Sequence, residues 1–158
     1  MDEGVSHLSA STRKATDKPQ LTTVQKAELI RGVEPFSQAT VEELFRLAAI
    51  SRELQFAAKE IVLRENDIGD ALYLVVMGKV ELMSRAEAFR SIVGPRQAFG
   101  LHAFLTREPL SFTATATEPT LALSIGGEDF YNLLSNDTEI VVSIFKYFVK
   151  QAGLTART

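Results

Sequence analysis

At 158 residues, 46% of them hydrophobic, the chain has the length and composition of one domain with a sizeable core. A net charge of -3 excludes a general affinity for polyanions, and the absence of cysteine excludes disulfides, thiolate metal sites, iron–sulfur clusters and a cysteine nucleophile. No apolar run approaches the ~18 residues of a membrane span and the start carries no signal-peptide pattern, so a cytoplasmic protein without membrane insertion is expected.

Residues 1–20 are polar, rich in Ser and Thr, and without hydrophobic period. They read as a disordered arm, with His7 a solvated side chain. Order is expected from Leu21. Thr23–Arg31 has near-helical spacing, and Val33-Glu34-Pro35-Phe36-Ser37 breaks it. Thr40 with Glu43 three residues on forms a capping box. The helix it opens, Val41 to about Ser51, is expected to bury Val41, Leu44, Phe45, Leu47, Ala48 and Ile50.

From Ser51 the period changes to two. Strands are expected around Leu54 and Phe56, over 60–65, over 71–77, over 79–84 and over 89–93. Two more follow over 113–117 and 120–125. In the turn 66–70, Gly69 is expected to take a positive φ, and Asp67 and Asp70 to accept backbone N–H bonds. Gly78 interrupts the apolar run of Leu72 to Met77, and Arg85–Ala88 reads as a loop. Many short strands separated by Gly, Pro, Asn and Asp argue for a β-barrel or sandwich. Helices return over 128–134 and from Thr138 to about Ala152, capped by Asn136 or Asp137, with 153–158 left as a tail. The second carries a stripe of Ile140, Val141, Ile144, Phe145, Phe148 and Val149.

Four stretches in this order carry a resemblance. They are Val33–Ser37 running on to Leu44 and Leu47-Ala48; Glu65-Asn66-Asp67-Ile68-Gly69-Asp70-Ala71-Leu72-Tyr73-Leu74-Val75; Met77-Gly78-Lys79-Val80-Glu81-Leu82; and Phe99-Gly100 followed by Thr113–Ala116. Over residues 24–152 the chain resembles the cyclic nucleotide-binding domain family, in its Crp/Fnr-like and protein kinase A regulatory subunit-like branches. The resemblance implies a mainly β fold with flanking helices: an eight-stranded double-stranded β-helix or jelly roll, with N-terminal helices and two C-terminal ones. It makes Asp67, Gly69, Asp70 and Gly78 scaffold turns.

It also locates a ligand pocket at Phe99, Gly100, Leu101, His102, Ala103, Phe104, Arg107, Leu110, Ser111 and Thr113. The family's phosphate-binding cassette reads roughly F-G-E-[LM]-A-L and, some residues on, R-A-A/S-T. Its glutamate takes the ribose 2′-hydroxyl, and its arginine meets the phosphate with parallel N–H bonds. Here Leu101 stands at the glutamate position and Leu110 at the arginine position. A hydrogen bond to a charged group is worth ~1.5–3 kcal/mol, so losing both implies no useful affinity for cyclic AMP or cyclic GMP at the standard site. Arg107, three residues before Leu110, is the candidate substitute for the missing arginine. His102 is expected to be partly buried and bonded to backbone. With Leu101, Phe104, Leu110 and Phe112 the pocket is expected to be largely apolar, either self-filled or taking a less charged ligand.

Nothing assembles a catalytic site: no metal-spaced histidine pair, no G-x-S-x-G, no Walker loop and no G-x-G-x-x-G. Gly126-Gly127 reads as a turn into a helix. The chain ends at Thr158 without room for a recognition helix, so no nucleic-acid binding by this chain alone is expected. The expectation is a non-catalytic regulatory or interaction module, without cofactor or metal, serving a protein partner or the remainder of a longer protein. Ile140, Ile144, Phe145 and Phe148 are the candidate interface, for a homodimer among others, against the alternative that they pack only on their own barrel. Two further readings stand beside it: a sensory domain for a cyclic nucleotide or another small ligand, and the effector half of a Crp/Fnr-type transcription regulator.

Overall fold

The computed structural model describes residues 20–153. The expected polar arm, apart from Gln20, lies outside the described residues, as does the tail beyond Gly153. The described chain divides into two compact units, residues 52–124 with Gln20 and residues 21–51 with 125–153.

The elements in chain order are α1 (Thr23–Arg31), α2 (Val41–Ile50), β1 (Ser51–Phe56), β2 (Ile61–Leu63), β3 (Ala71–Met77), β4 (Val80–Ser84), β5 (Phe89–Val93), β6 (Ala98–Phe99), α3 (Leu101–Thr106), β7 (Thr113–Ala116), β8 (Thr120–Gly126), α4 (Gly127–Asn136) and α5 (Thr138–Gln151). The eight strands form two four-stranded sheets, ordered β1-β8-β3-β6 and β2-β7-β4-β5, the arrangement of a jelly roll.

Alternation sets which side chains enter the barrel core. In β7 the threonines are half-buried while Ala114 and Ala116 are fully buried. β4 pairs with β7 so that Leu82 stands opposite Ala114 and Val80 opposite Ala116, large side chains beside small ones. Val80 also faces Val93 of β5. In β3, Ala71 to Val75 are all buried, so the run lacks the polar–apolar alternation of a half-exposed strand. Tyr73 sits opposite Phe99 of β6, and their rings stack 5.3 Å apart at an interplanar angle of 9°.

The turn before β3 differs from expectation. Asn66 takes the positive φ, 76°, and Gly69 does not. Gly69 is needed for space: a Cβ there would lie 3.0 Å from the Ala103 Cβ and 3.4 Å from Leu110 Cδ2. Nor do Asp67 and Asp70 hold the turn through their carboxylates. Both are exposed, and the turn is closed by backbone bonds, from Asp67 N to the Arg64 carbonyl (3.2 Å) and from Asn66 N to the Leu110 carbonyl (2.8 Å).

In the second unit, the Thr40–Glu43 capping box forms as its spacing dictates. Thr40 Oγ1 accepts from Glu43 N at 3.2 Å, and Glu43 Oε1 accepts from Thr40 N at 2.8 Å. The buried face of α2 is narrower than the sequence implies. Leu44, Leu47 and Ala48 are buried, Ile50 is half-buried, and Val41 and Phe45 are exposed. Phe45 is turned about 100° from Leu44, off the buried stripe. Replacing Thr40 by Ala is expected to cost about 1 kcal/mol, read by urea denaturation, because the Glu43 N–H loses its Oγ1 acceptor. Val41→Ala, on the open face, is expected to stay within about 0.5 kcal/mol. Phe36 and Phe130 meet edge to face at 6.2 Å. Of the two candidate caps for α5, Asp137 is the one used: its Oδ1 accepts from Glu139 N and Ile140 N.

Candidate functional site

The cassette forms around the six-residue helix α3. Gly100, at φ 91°, turns the chain out of β6, and the Phe104 N–H closes the first turn on the Gly100 carbonyl at 3.0 Å. Arg107, at φ 63°, ends the helix with its N–H on the Ala103 carbonyl at 2.9 Å.

The segment after α3 is held against the turn before β3. Ile68 bridges to Pro109, Leu110 N donates to the Asp67 carbonyl, and the Leu110 carbonyl accepts from Asn66 N, both at 2.8 Å. These bonds fix the backbone of Leu110, and its side chain is 2% exposed within the barrel core. Phe99, Ala103 and Phe104 are likewise buried. Thr113 is half-buried, and its Oγ1 accepts from Glu65 N at 3.0 Å.

A cleft of about 320 Å³ opens beside this core, lined by Glu87, Gly100, His102, Ala103, Glu108, Pro109, Ser111 and Phe112. Of the ten expected pocket residues, Gly100, His102, Ala103 and Ser111 line it. Phe99, Phe104 and Leu110 are buried core side chains, Leu101 is half-buried, and Arg107 is exposed without lining the cleft. The expected partly buried His102 is instead exposed, its side chain 72% accessible, with Nε2 4.0 Å from Glu108 Oε2. A six-residue helix turns its second residue outward when its third and fourth face the core.

Glu87 and Glu108 are the residues the sequence reading missed. Glu87 reaches the cleft because Glu65 pins its loop: Glu65 Oε1 accepts from Arg85 N (3.2 Å), and its Oε2 accepts from Ala86 N (3.4 Å) and the Ser84 hydroxyl (3.5 Å). Ser84 Oγ in turn accepts from Glu87 N at 3.0 Å. Among the described residues no lysine or arginine lines the cleft. Two carboxylates and no guanidinium give it a potential that repels a phosphate.

The comparisons with known proteins agree with this architecture. The N-terminal domain of a Streptomyces coelicolor transcriptional regulator superposes with a TM-score of 0.72 at 24% identity, covering 82% of this chain and 93% of that one. The regulatory domain of Toxoplasma gondii PKA, solved with cAMP, superposes at 0.66 and 24% identity, covering 74% of this chain and 46% of that one. These two likenesses speak for the fold. In sequence, the CRP-like cAMP-activated global transcriptional regulator of Mycobacterium tuberculosis is 26% identical over 137 residues, which covers 82% of this chain and 57% of that protein. This chain therefore spans little more than half the length of that relative. The match to the family model, the cyclic nucleotide-binding domain, runs over residues 53–137, more than half of the chain and all of β2 to β8 and the cleft; the chain belongs to the cyclic nucleotide-binding domain family.

Proposed function

We propose that this chain is a non-catalytic regulatory domain whose cleft no longer takes cyclic AMP or cyclic GMP in the usual way, and which acts through protein contacts. The observation that carries this reading is the burial of Leu110 at the family's arginine position, 2% exposed and tied at both its N–H and its carbonyl to the turn before β3. The half-buried Leu101 removes the ribose contact, and Glu87 and Glu108 add charge of the wrong sign. Arg107 is exposed and lies outside the lining of the cleft, with its N–H on the Ala103 carbonyl at the end of α3. No cofactor enters this account.

Thermal denaturation tests it. A domain binding at ~10 μM gains ~2.7 kcal/mol from ligand at a hundred times its Kd, or a rise of roughly 5–20 °C in Tm. The expected result is no rise with either nucleotide at about 1 mM. A rise of that size returns the chain to the sensory reading and makes the cleft a functioning nucleotide site.

The contacts are assigned to α5. Ile140 and Ile144, two of the four candidate interface residues, are buried and serve packing. Phe145 (66% exposed) and Phe148 (42%) remain open, with Val141 on the same face one turn earlier. A second copy of this chain is the occupant this stripe fits, as a two-helix seam. Sedimentation is expected to find a dimer that Phe145→Glu with Phe148→Glu converts to monomer. A natural chain that sediments as a monomer refutes the seam without touching the account of the cleft.

A further inference from the structure

We propose that Glu43, Asp137 and Glu139 form a binding site for a divalent, oxygen-ligated cation, calcium in preference to magnesium. One carboxylate oxygen of each lies within 4.8 Å of the other two. An acidic cluster alone is commonplace on a surface, and this one is distinguished by Glu43. Its side chain is 3% exposed, and while Oε1 accepts from Thr40 N, the buried Oε2 accepts no hydrogen bond from any of the described residues. A buried carboxylate oxygen is almost always satisfied in a folded protein, and an orphan on a carboxylate clustered with two others calls for a cation.

Arg46 does not fill that need. Its Nη1 pairs with Asp137 Oδ2 at 2.7 Å, while Asp137 Oδ1 caps α5. Three carboxylates facing one guanidinium leave two negative charges uncompensated, the charge of one divalent ion. The donors are all oxygen, which suits calcium, magnesium or manganese and disfavours zinc or copper. Size separates the first two. Calcium takes oxygens at about 2.3–2.6 Å in flexible geometry whereas magnesium demands a near-ideal octahedron at about 2.0–2.1 Å, so three carboxylate oxygens gathered within 4.8 Å without octahedral order suit calcium. Glu139 is exposed, which opens the site to solvent and leaves positions for water. Three protein carboxylates with water place the dissociation constant at about 0.1–1 mM. The site uses no residue of the cleft and stands whether or not a nucleotide binds there.

The test is a calorimetric titration of the chelator-treated chain with calcium chloride, with magnesium chloride in parallel and Tm read at each end point. The expected result is one calcium per chain, a Tm raised by calcium, and a weaker response to magnesium. Glu139→Gln, on the surface, is expected to keep the metal-free Tm and to lose at least about tenfold in calcium affinity. Glu43→Gln is expected to remove the calcium response. Absence of both heat and Tm shift in the natural chain at about 10 mM calcium overturns the site. So does a Glu139→Gln chain that titrates like the natural one, a comparison that holds even if Glu43→Gln fails to fold.

Discussion

Leu110→Arg combined with Leu101→Glu is expected to give this domain measurable affinity for cyclic AMP, against none expected of the natural chain. Each substitution returns one charged hydrogen bond worth ~1.5–3 kcal/mol, so the pair is worth ~3–6 kcal/mol, or roughly 10²–10⁴-fold. The new arginine has a route out of the core. Leu110 stands between Pro109 and Ser111, both of which line the cleft, so a long side chain from position 110 can lay its stem along the core edge and its guanidinium in the opening. Removing Leu110 from the barrel costs stability, about 2–5 kcal/mol as for other buried leucines, and the ligand-free double variant is expected to melt lower than the natural chain. Calorimetry reads the affinity, and a rise in Tm with nucleotide reads it independently. Glu87 and Glu108 set the gain at the low end, and neutralising both in the variant is expected to raise it further. A folded double variant that still ignores the nucleotide shows that more than two contacts have been lost.

Gly78→Ala is expected to be the most damaging single-methyl change, at about 3 kcal/mol or more. Gly78 joins β3 to β4 at φ 97°, where an L side chain adds roughly 1–2 kcal/mol of backbone strain. A Cβ there would stand 2.4 Å from Thr120 Oγ1, 2.6 Å from the Pro119 carbonyl oxygen and 2.7 Å from Thr120 Cα. Two of these three atoms are backbone, so no rotamer change relieves the contact. Gly126→Ala is the matched control: its φ is -73° and nothing lies within 4 Å of the added methyl. It is expected to change stability by less than about 1 kcal/mol, since the reduced freedom of the unfolded chain opposes the poorer fit of Ala at the N-cap of α4. Urea denaturation of the two variants side by side decides the matter. Equal losses at both positions contradict the close approach of β8 to the β3–β4 corner.

The features legible in the sequence are those with local causes. The Thr40–Glu43 capping box needs only a spacing of three, and the Thr-Ala alternation of β7 needs only the pleat. The placing of Leu101 and Leu110 at the cassette positions rests on the register of the flanking Phe99-Gly100 and Pro109 to the motif. What escaped was brought together by tertiary contacts. Glu87 enters the cleft because Glu65, distant in sequence, ties down the loop before it. Arg46 and Asp137 meet across 91 residues of chain. Gly69 reads in the sequence as a site of backbone freedom, whereas a side chain there would crowd Ala103 and Leu110, a requirement that exists only once α3 is placed. Ile140 and Ile144 share a stripe with Phe145 and Phe148, and periodicity alone does not say where the buried part of a stripe ends.

Calorimetric titration of the natural chain with cyclic AMP, and then with cyclic GMP, tests the central claim most directly. The account predicts no heat of binding from either nucleotide, because the arginine and glutamate contacts are replaced by Leu110 and Leu101 and the cleft carries two carboxylates. A saturable one-to-one isotherm with a micromolar Kd would contradict it and would turn attention to Arg107 for the phosphate contact.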